Sequence, residues 1–251
     1  MLLADGSGTS LTVTDSGDGG TILNDVSAME SLLRVTNNAT LNIDGGTLVN
    51  TLGQRAVSAL SGGRVNMTGG VLTGVQAGSS GAGILVVNAA LNMTGGKITG
   101  NSCINNGGAI RMIRSTVTIV GSAEISNNTA NSAGGGISAA SGTLVVEGDA
   151  HIFNNRAGGS GGGINVEASV TAPAVVTVGG SAHINANTDA SGNRANGNIT
   201  GAVKIDTDSD CIVGGYTEGI DEDKTGLKEQ IENAENGAVI TLQDDYEKLY
   251  Q

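Results

Sequence analysis

The chain has 251 residues, of which 42 are glycine, one is proline and only four are aromatic (three Tyr and one Phe), yet 38% are hydrophobic. This balance excludes collagen, which needs a strict three-residue glycine period and abundant proline, and it argues against both a thick aromatic core and wholesale disorder. The formal net charge is −12, from 12 Lys and Arg against 24 Asp and Glu, so nucleic acid and anionic membrane surfaces are not expected partners, because phosphate binding needs clustered cations.

The opening stretch, MLLADGSGTS, has neither a basic region nor a long apolar run of the signal-peptide kind. No run of about 18 apolar residues follows, so no insertion of this segment into a membrane is expected. A faint strand, Leu11-Thr12-Val13, precedes the dominant signal, an internal repeat. One repeated element reads apolar-x-apolar-x-Gly: Leu41–Gly45, Val65–Gly69, Leu91–Gly95, Val117–Gly121, Leu144–Gly148 and Val176–Gly180. Its anchor glycines are spaced 24, 26, 26, 27 and 32 residues apart. A second element is glycine-rich and ends in Ile84, Ile110, Ile137 and Ile164. A third is Ile-x-x-Asn, at Ile98 and Asn101, Ile125 and Asn128, Ile152 and Asn155, and Ile184 and Asn187. A last faint member is Val203–Thr207.

Alternation at period 2 predicts strands, and a pattern that translates along the chain predicts stacked coils. The expected fold is all-β: a single-stranded, right-handed parallel β-helix of roughly seven to eight coils, a three-sheet solenoid about 35–40 Å long at a rise of about 4.8 Å per coil. Inward Val, Ile, Leu and Ala would fill a narrow lumen. Asn101, Asn128, Asn155 and Asn187 would form an amide ladder. The longest spacing is absorbed near Ala168–Ala174, which holds the only proline, Pro173. An all-β sandwich is the structural rival, but it has no need of a constant 26–27-residue period.

The pairing of Gly107-Gly108-Ala109-Ile110 with Ile-x-x-Asn resembles the GGA[ILV] and FxxN repeats of chlamydial polymorphic outer-membrane proteins, with Ile in place of the usual Phe. It is also similar to adhesin-like β-helix proteins of gut bacteria and archaea. The resemblance covers roughly residues 40–215. It implies a pectin lyase-like β-helix and a secreted or cell-surface bacterial protein that contacts a host or matrix protein or a glycan. Fold alone does not set function.

The β-helix is expected over residues 1–214, and an acidic segment over 215–251. In the latter, Asp221-Glu222-Asp223 precede Leu227, Ile231 and Ala234, whose spacing predicts a short amphipathic helix. Thr225 would cap its start and Asn236-Gly237 its end. Ala238–Leu242 reads as a strand. This segment either caps the open end of the solenoid, whose edges invite association, or begins a further module.

Few residues carry chemistry. Glu124, His151 and His183 occupy one position of the repeat on successive coils, after Lys97, and so form an outward row; imidazole and carboxylate suit a divalent metal. A solvated surface row is the plainer reading. Asp206, Asp208 and Asp210 alternate like the start of a calcium loop, but Cys211 stands where that loop needs Gly and Thr217 where it needs Glu. Cys103 and Cys211 lie about four coils apart, on the order of 19 Å, so both are expected as free thiols. Arg55, Arg64, Arg111, Arg114, Arg156 and Arg194 share no evident column with acids, although Arg111, Arg114 and Arg156 decorate neighbouring coils. Phe153 is the only aromatic residue before Tyr216, so platforms for sugar rings are scarce. No catalytic residue and no cofactor is expected. The leading expectation is a non-enzymatic extracellular adhesin-like segment that presents an elongated polar face. A carbohydrate-active β-helix enzyme, which would need a carboxylate pair or an acid–base cluster, and a structural spacer are the alternatives.

Overall fold

The computed structural model describes residues 1–189, apart from 16, 18, 25–29, 53, 168–171 and 173, together with the strands Ile199–Ile205, Ile212–Val213 and Val239–Leu242. The chain is a parallel β-solenoid, and its described residues contain no helix. Each coil lays down three short strands, one on each of three faces. The first face runs from Leu2–Asp5 through Leu33–Thr36, Val57–Leu60, Ile84–Val87, Ile110–Ile113 and Ile137–Ala139 to Ile164–Val166. The second runs from Ser10–Val13 through Thr40–Ile43, Arg64–Met67, Ala90–Met93, Ser115–Ile119 and Gly142–Val146 to Ala174–Val178. The third is an eight-stranded sheet from Thr21–Asn24 to Ile212–Val213, with Lys97–Thr99, Glu124–Ser126, His151–Phe153 and His183–Asn185 in its middle. Strand Ile199–Ile205 pairs with the first face at its start and the second at its end, which joins these two faces into one sheet.

Pairing is parallel and in register. Leu41, Val65, Leu91, Val117, Leu144 and Val176 stand over one another on the second face. Leu72, Ile98, Ile125, Ile152 and Ile184 do so on the third. These side chains are essentially inaccessible to solvent. Because side chains alternate across a strand, the apolar residue of each pair points inward while its neighbours point out. The aliphatic columns therefore compose one continuous core, and no thick aromatic layer is required.

A fourth, short sheet was not expected. Gln76–Ala77, Ser102–Cys103, Thr129–Ala130 and Arg156–Ala157 pair in parallel between the third face and the next glycine-rich turn. The expected terminal strand is present as Val239–Leu242. It pairs antiparallel to Ile199–Ile205, so here the chain folds back instead of advancing by another coil. The helix expected around Leu227, Ile231 and Ala234 lies outside the described residues.

The asparagine ladder has a definite geometry. Asn101, Asn128, Asn155 and Asn187 are buried. Each of the first three donates from its side-chain amide to the Oδ1 of the next: 3.1 Å for Asn101 to Asn128, 3.0 Å for Asn128 to Asn155 and 2.9 Å for Asn155 to Asn187. The same oxygens accept the backbone N–H of the preceding ladder residue. The residue before each ladder member is left-handed: Gly100, Asn127, Asn154 and Ala186 have φ of 66°, 55°, 53° and 52°. Glycine and asparagine adopt this conformation readily, and alanine does so at a cost. A separate buried pair, Asn24 to Asn50 at 2.6 Å, occupies the first two coils one position out of phase with the main ladder.

Candidate functional site

The three faces of the solenoid differ in chemistry, and each places a different set of candidate residues.

On the third face, Lys97, Glu124, His151 and His183 are consecutive partners of the parallel ladder, so the outward row expected from the repeat exists. The Lys97 ammonium lies 2.7 Å from Glu124 Oε2. Ser126 Oγ donates to Glu124 Oε1 at 2.8 Å. Partial burial opposes ionisation of Glu124, but these hydrogen bonds and the nearby cation win, and its carboxyl is held below the usual carboxylate range. The rings of His151 and His183 stack with centroids 4.8 Å apart and planes 16° from parallel. Phe153 meets His151 edge-on, with centroids 6.2 Å apart at 88°. Burial, and then the neighbouring His151, lowers the pKa of His183. Among the described residues, no group of three His, Cys, Asp or Glu is arranged to hold a metal ion: Glu124 turns to Lys97 while the imidazoles turn to each other.

The first face is recessed. Its outward Ser58, Ser138 and Asn165 are 4%, 0% and 7% exposed, and the glycine-rich turns pack against two of them: a Cβ on Gly134 or Gly161 would lie 2.8 or 2.7 Å from the Cα of Ser138 or Asn165. In this recess Arg111 forms a two-pronged pair with Glu167. One prong runs from Nη1 to Oε1, and the other from Nη2 to Oε2 at 3.0 Å. Ser138 Oγ and Asn106 Nδ2 also donate to Oε1, at 3.1 and 3.2 Å. The guanidinium hydrogen bond is the main reason why the Glu167 carboxyl is held below its ordinary range; burial opposes it, and the charge of Arg111 and the Ser138 hydroxyl assist. The two residues do not share a column: Arg111 is in register with Ser138 and Asn165, and Glu167 lies two positions past Asn165, so the side chains meet across columns. Arg111 and Glu167 are 56 residues apart, and Glu167 follows the strand Ile164–Val166 two coils beyond Arg111. Nothing in the spacing of the two residues marks them as partners, because Glu167 lies just past the repeated element.

The second face is flat and mostly uncharged. One outward column reads Thr12, Asn42, Asn66, Asn92, Thr118, Val145 and Thr177. The column beside it reads Ser10, Thr40, Arg64, Ala90, Thr116, Thr143 and Val175. Asn66 donates to Asn42 Oδ1 at 2.9 Å, so part of the column is itself a surface amide ladder. Asn92, Thr116 and Thr143 are exposed.

The remaining candidates are placed as follows. Cys103 is a free, buried thiol, and burial pushes its pKa up to about 11, which keeps it protonated and unreactive. Cys211 and the Asp206, Asp208 and Asp210 row lie outside the described residues. Arg55 is engaged in the turn, donating to the Ser80 carbonyl at 3.0 Å and to Ser79 Oγ at 2.7 Å. Arg114 donates to Asn88 Oδ1 on the preceding coil at 2.9 Å. Arg64 and Arg156 are exposed, and Arg194 lies outside the described residues. Charge is distributed unevenly: residues 206–251 hold 13 Asp and Glu against 3 Lys, whereas residues 1–205 hold 11 against 9. Residues 1–205 are thus nearly neutral, and most of the negative charge lies in residues 206–251.

Fold and faces together define a parallel β-solenoid with one recessed and two open surfaces. No known protein family, curated protein or solved structure matches the chain.

Proposed function

We propose that the chain is a segment of a non-enzymatic, adhesin-like protein of the bacterial cell surface, and that it binds a glycan or a host or matrix protein along an elongated polar face. The observation that carries this reading is the second face, where Thr and Asn side chains repeat once per coil over a nearly neutral surface. Repetition at about 4.8 Å suits an extended partner that offers hydroxyl or amide groups along its length. The state of the carboxyls supports the same reading. A general acid needs a raised pKa, whereas Glu124 and Glu167 are both held in the charged form by cationic partners.

The test is binding of the full chain to arrayed glycans and to immobilised matrix proteins. Asn66→Lys and Asn92→Lys introduce bulk and charge on the second face, and they should abolish any binding seen while leaving the fold intact. Retained binding in both variants, or no binding to any probe, overturns the assignment.

The recessed Arg111–Glu167 pair favours one second reading, a carbohydrate-active enzyme whose groove is the first face. Release of reducing or unsaturated ends from polysaccharides by the wild-type chain, lost in Glu167→Gln, would establish that reading instead.

A further inference from the structure

The stacked imidazoles of the third face have a use that neither reading of the function requires. The parallel ladder pairs His151 with His183 and fixes their backbones one coil apart. Both rings stand on the outer surface, within reach of solvent. Phe153 supports the His151 ring edge-on, which limits the directions in which it can swing. Glu124 is the ladder neighbour of His151 on one side, and Asp149, two residues before His151, lies close enough to act electrostatically on His183. Lys97, a cation of the same row, is already engaged by Glu124.

We propose that His151 and His183 form a two-histidine site for a divalent transition-metal ion, with Cu2+ held more tightly than Zn2+. Metal–nitrogen bonds of about 2.0–2.1 Å require the two ligating nitrogens to sit about 3 Å apart. The rings are 4.8 Å apart at their centroids with planes 16° from parallel, so each ring must rotate out of the stack about its side-chain bonds before one nitrogen of each points at a shared ion. The coil backbone need not move, because the lateral spacing is already set by strand pairing. Water completes the coordination sphere, and the nearby Asp149 carboxylate favours the positive charge. The site is independent of the second face, so its failure would leave the proposed binding function standing.

The two histidines are the only ones in the chain, which makes the test clean. Cu2+ is titrated into the full-length protein and followed by electron paramagnetic resonance. The expected result is a first equivalent with hyperfine coupling to two imidazole nitrogens. His151→Asn and His183→Asn should each weaken binding at least about tenfold, the loss that even an outer-shell partner produces. Proton NMR of the wild-type chain supplies a readout that needs no variant: substoichiometric Cu2+ should broaden both imidazole signals together. Coupling to oxygen alone, or affinity unchanged in both variants, would assign the ion to the acidic residues of 206–251 and overturn the proposal, as would the absence of any binding.

Discussion

Asn128 shows how much structure one side chain can carry. Its amide nitrogen donates to the carbonyls of Ile98 and Ser126, both at 2.8 Å, and to Asn155 Oδ1 at 3.0 Å. Its oxygen accepts from the backbone and side chain of Asn101. Asn128→Ala strands several buried polar groups at about 1–3 kcal/mol each, and the expected loss is about 3 kcal/mol or more in urea unfolding. Glu167 makes a smaller contribution, and one that depends on pH. Its folded pKa is depressed, so its stabilisation is present above the unfolded value of about 4.3 and is lost as pH falls through the folded value. Solvent screens the pair, which limits it to about 1 kcal/mol or less. Wild type should therefore unfold at higher urea than Glu167→Gln at pH 7, and the gap should close as pH drops below about 4. A constant gap across that range would show that the substitution disturbs packing rather than charge.

At the scale of the element, the coil is defined by its turns as much as by its strands. The glycine-rich turn before Ile137 packs directly on the next coil: a Cβ on Gly135 would lie 2.5 Å from the Arg156 carbonyl carbon and nearer still to its oxygen. Those atoms are backbone and cannot swing aside. Gly135→Ala should therefore cost several kcal/mol, on the scale of core overpacking or more, or prevent soluble folding. Gly78 provides the contrast, because a Cβ there meets only the end of the Gln54 side chain at 3.5 Å. Gly78→Ala should unfold within about 0.5 kcal/mol of wild type. Equal effects at the two sites would mean that the turns do not set the distance between coils.

At the scale of the whole molecule, the solenoid is close to one-dimensional, and each coil is stabilised mainly by its two neighbours. The strands Leu2–Asp5, Ser10–Val13 and Thr21–Asn24 are the outermost members of their faces and pair on one edge only. Leu2, Leu3 and Leu23 remain 47–58% exposed there. The middle coils pair on both edges and bury their inward-facing aliphatics completely. Amide hydrogen exchange should therefore be fastest in the first coil and slowest in strands such as Ala90–Met93 and Ser115–Ile119. Uniform protection along the axis would instead indicate a single cooperative unit.

The sequence alone determined the repeat, the parallel register, the aliphatic columns, the ladder from Asn101 to Asn187 and the outward row of Glu124, His151 and His183. All of these are consequences of a period: once residues recur every 26 or 27 positions, stacking puts like over like. The tertiary structure decided what the period does not encode. The Arg111–Glu167 pair joins a repeated position to one just beyond the repeat. The recess of the first face depends on how neighbouring turns pack against it. The Asn24–Asn50 pair sits one residue out of phase, and a single shared pair gives no period to detect. Side-chain direction decided the rest: Glu124 faces Lys97 and the two histidines face each other, although all four residues occupy equivalent places in the repeat. Backbone periodicity selects which residues become neighbours, and charge and packing then select which of those neighbours interact.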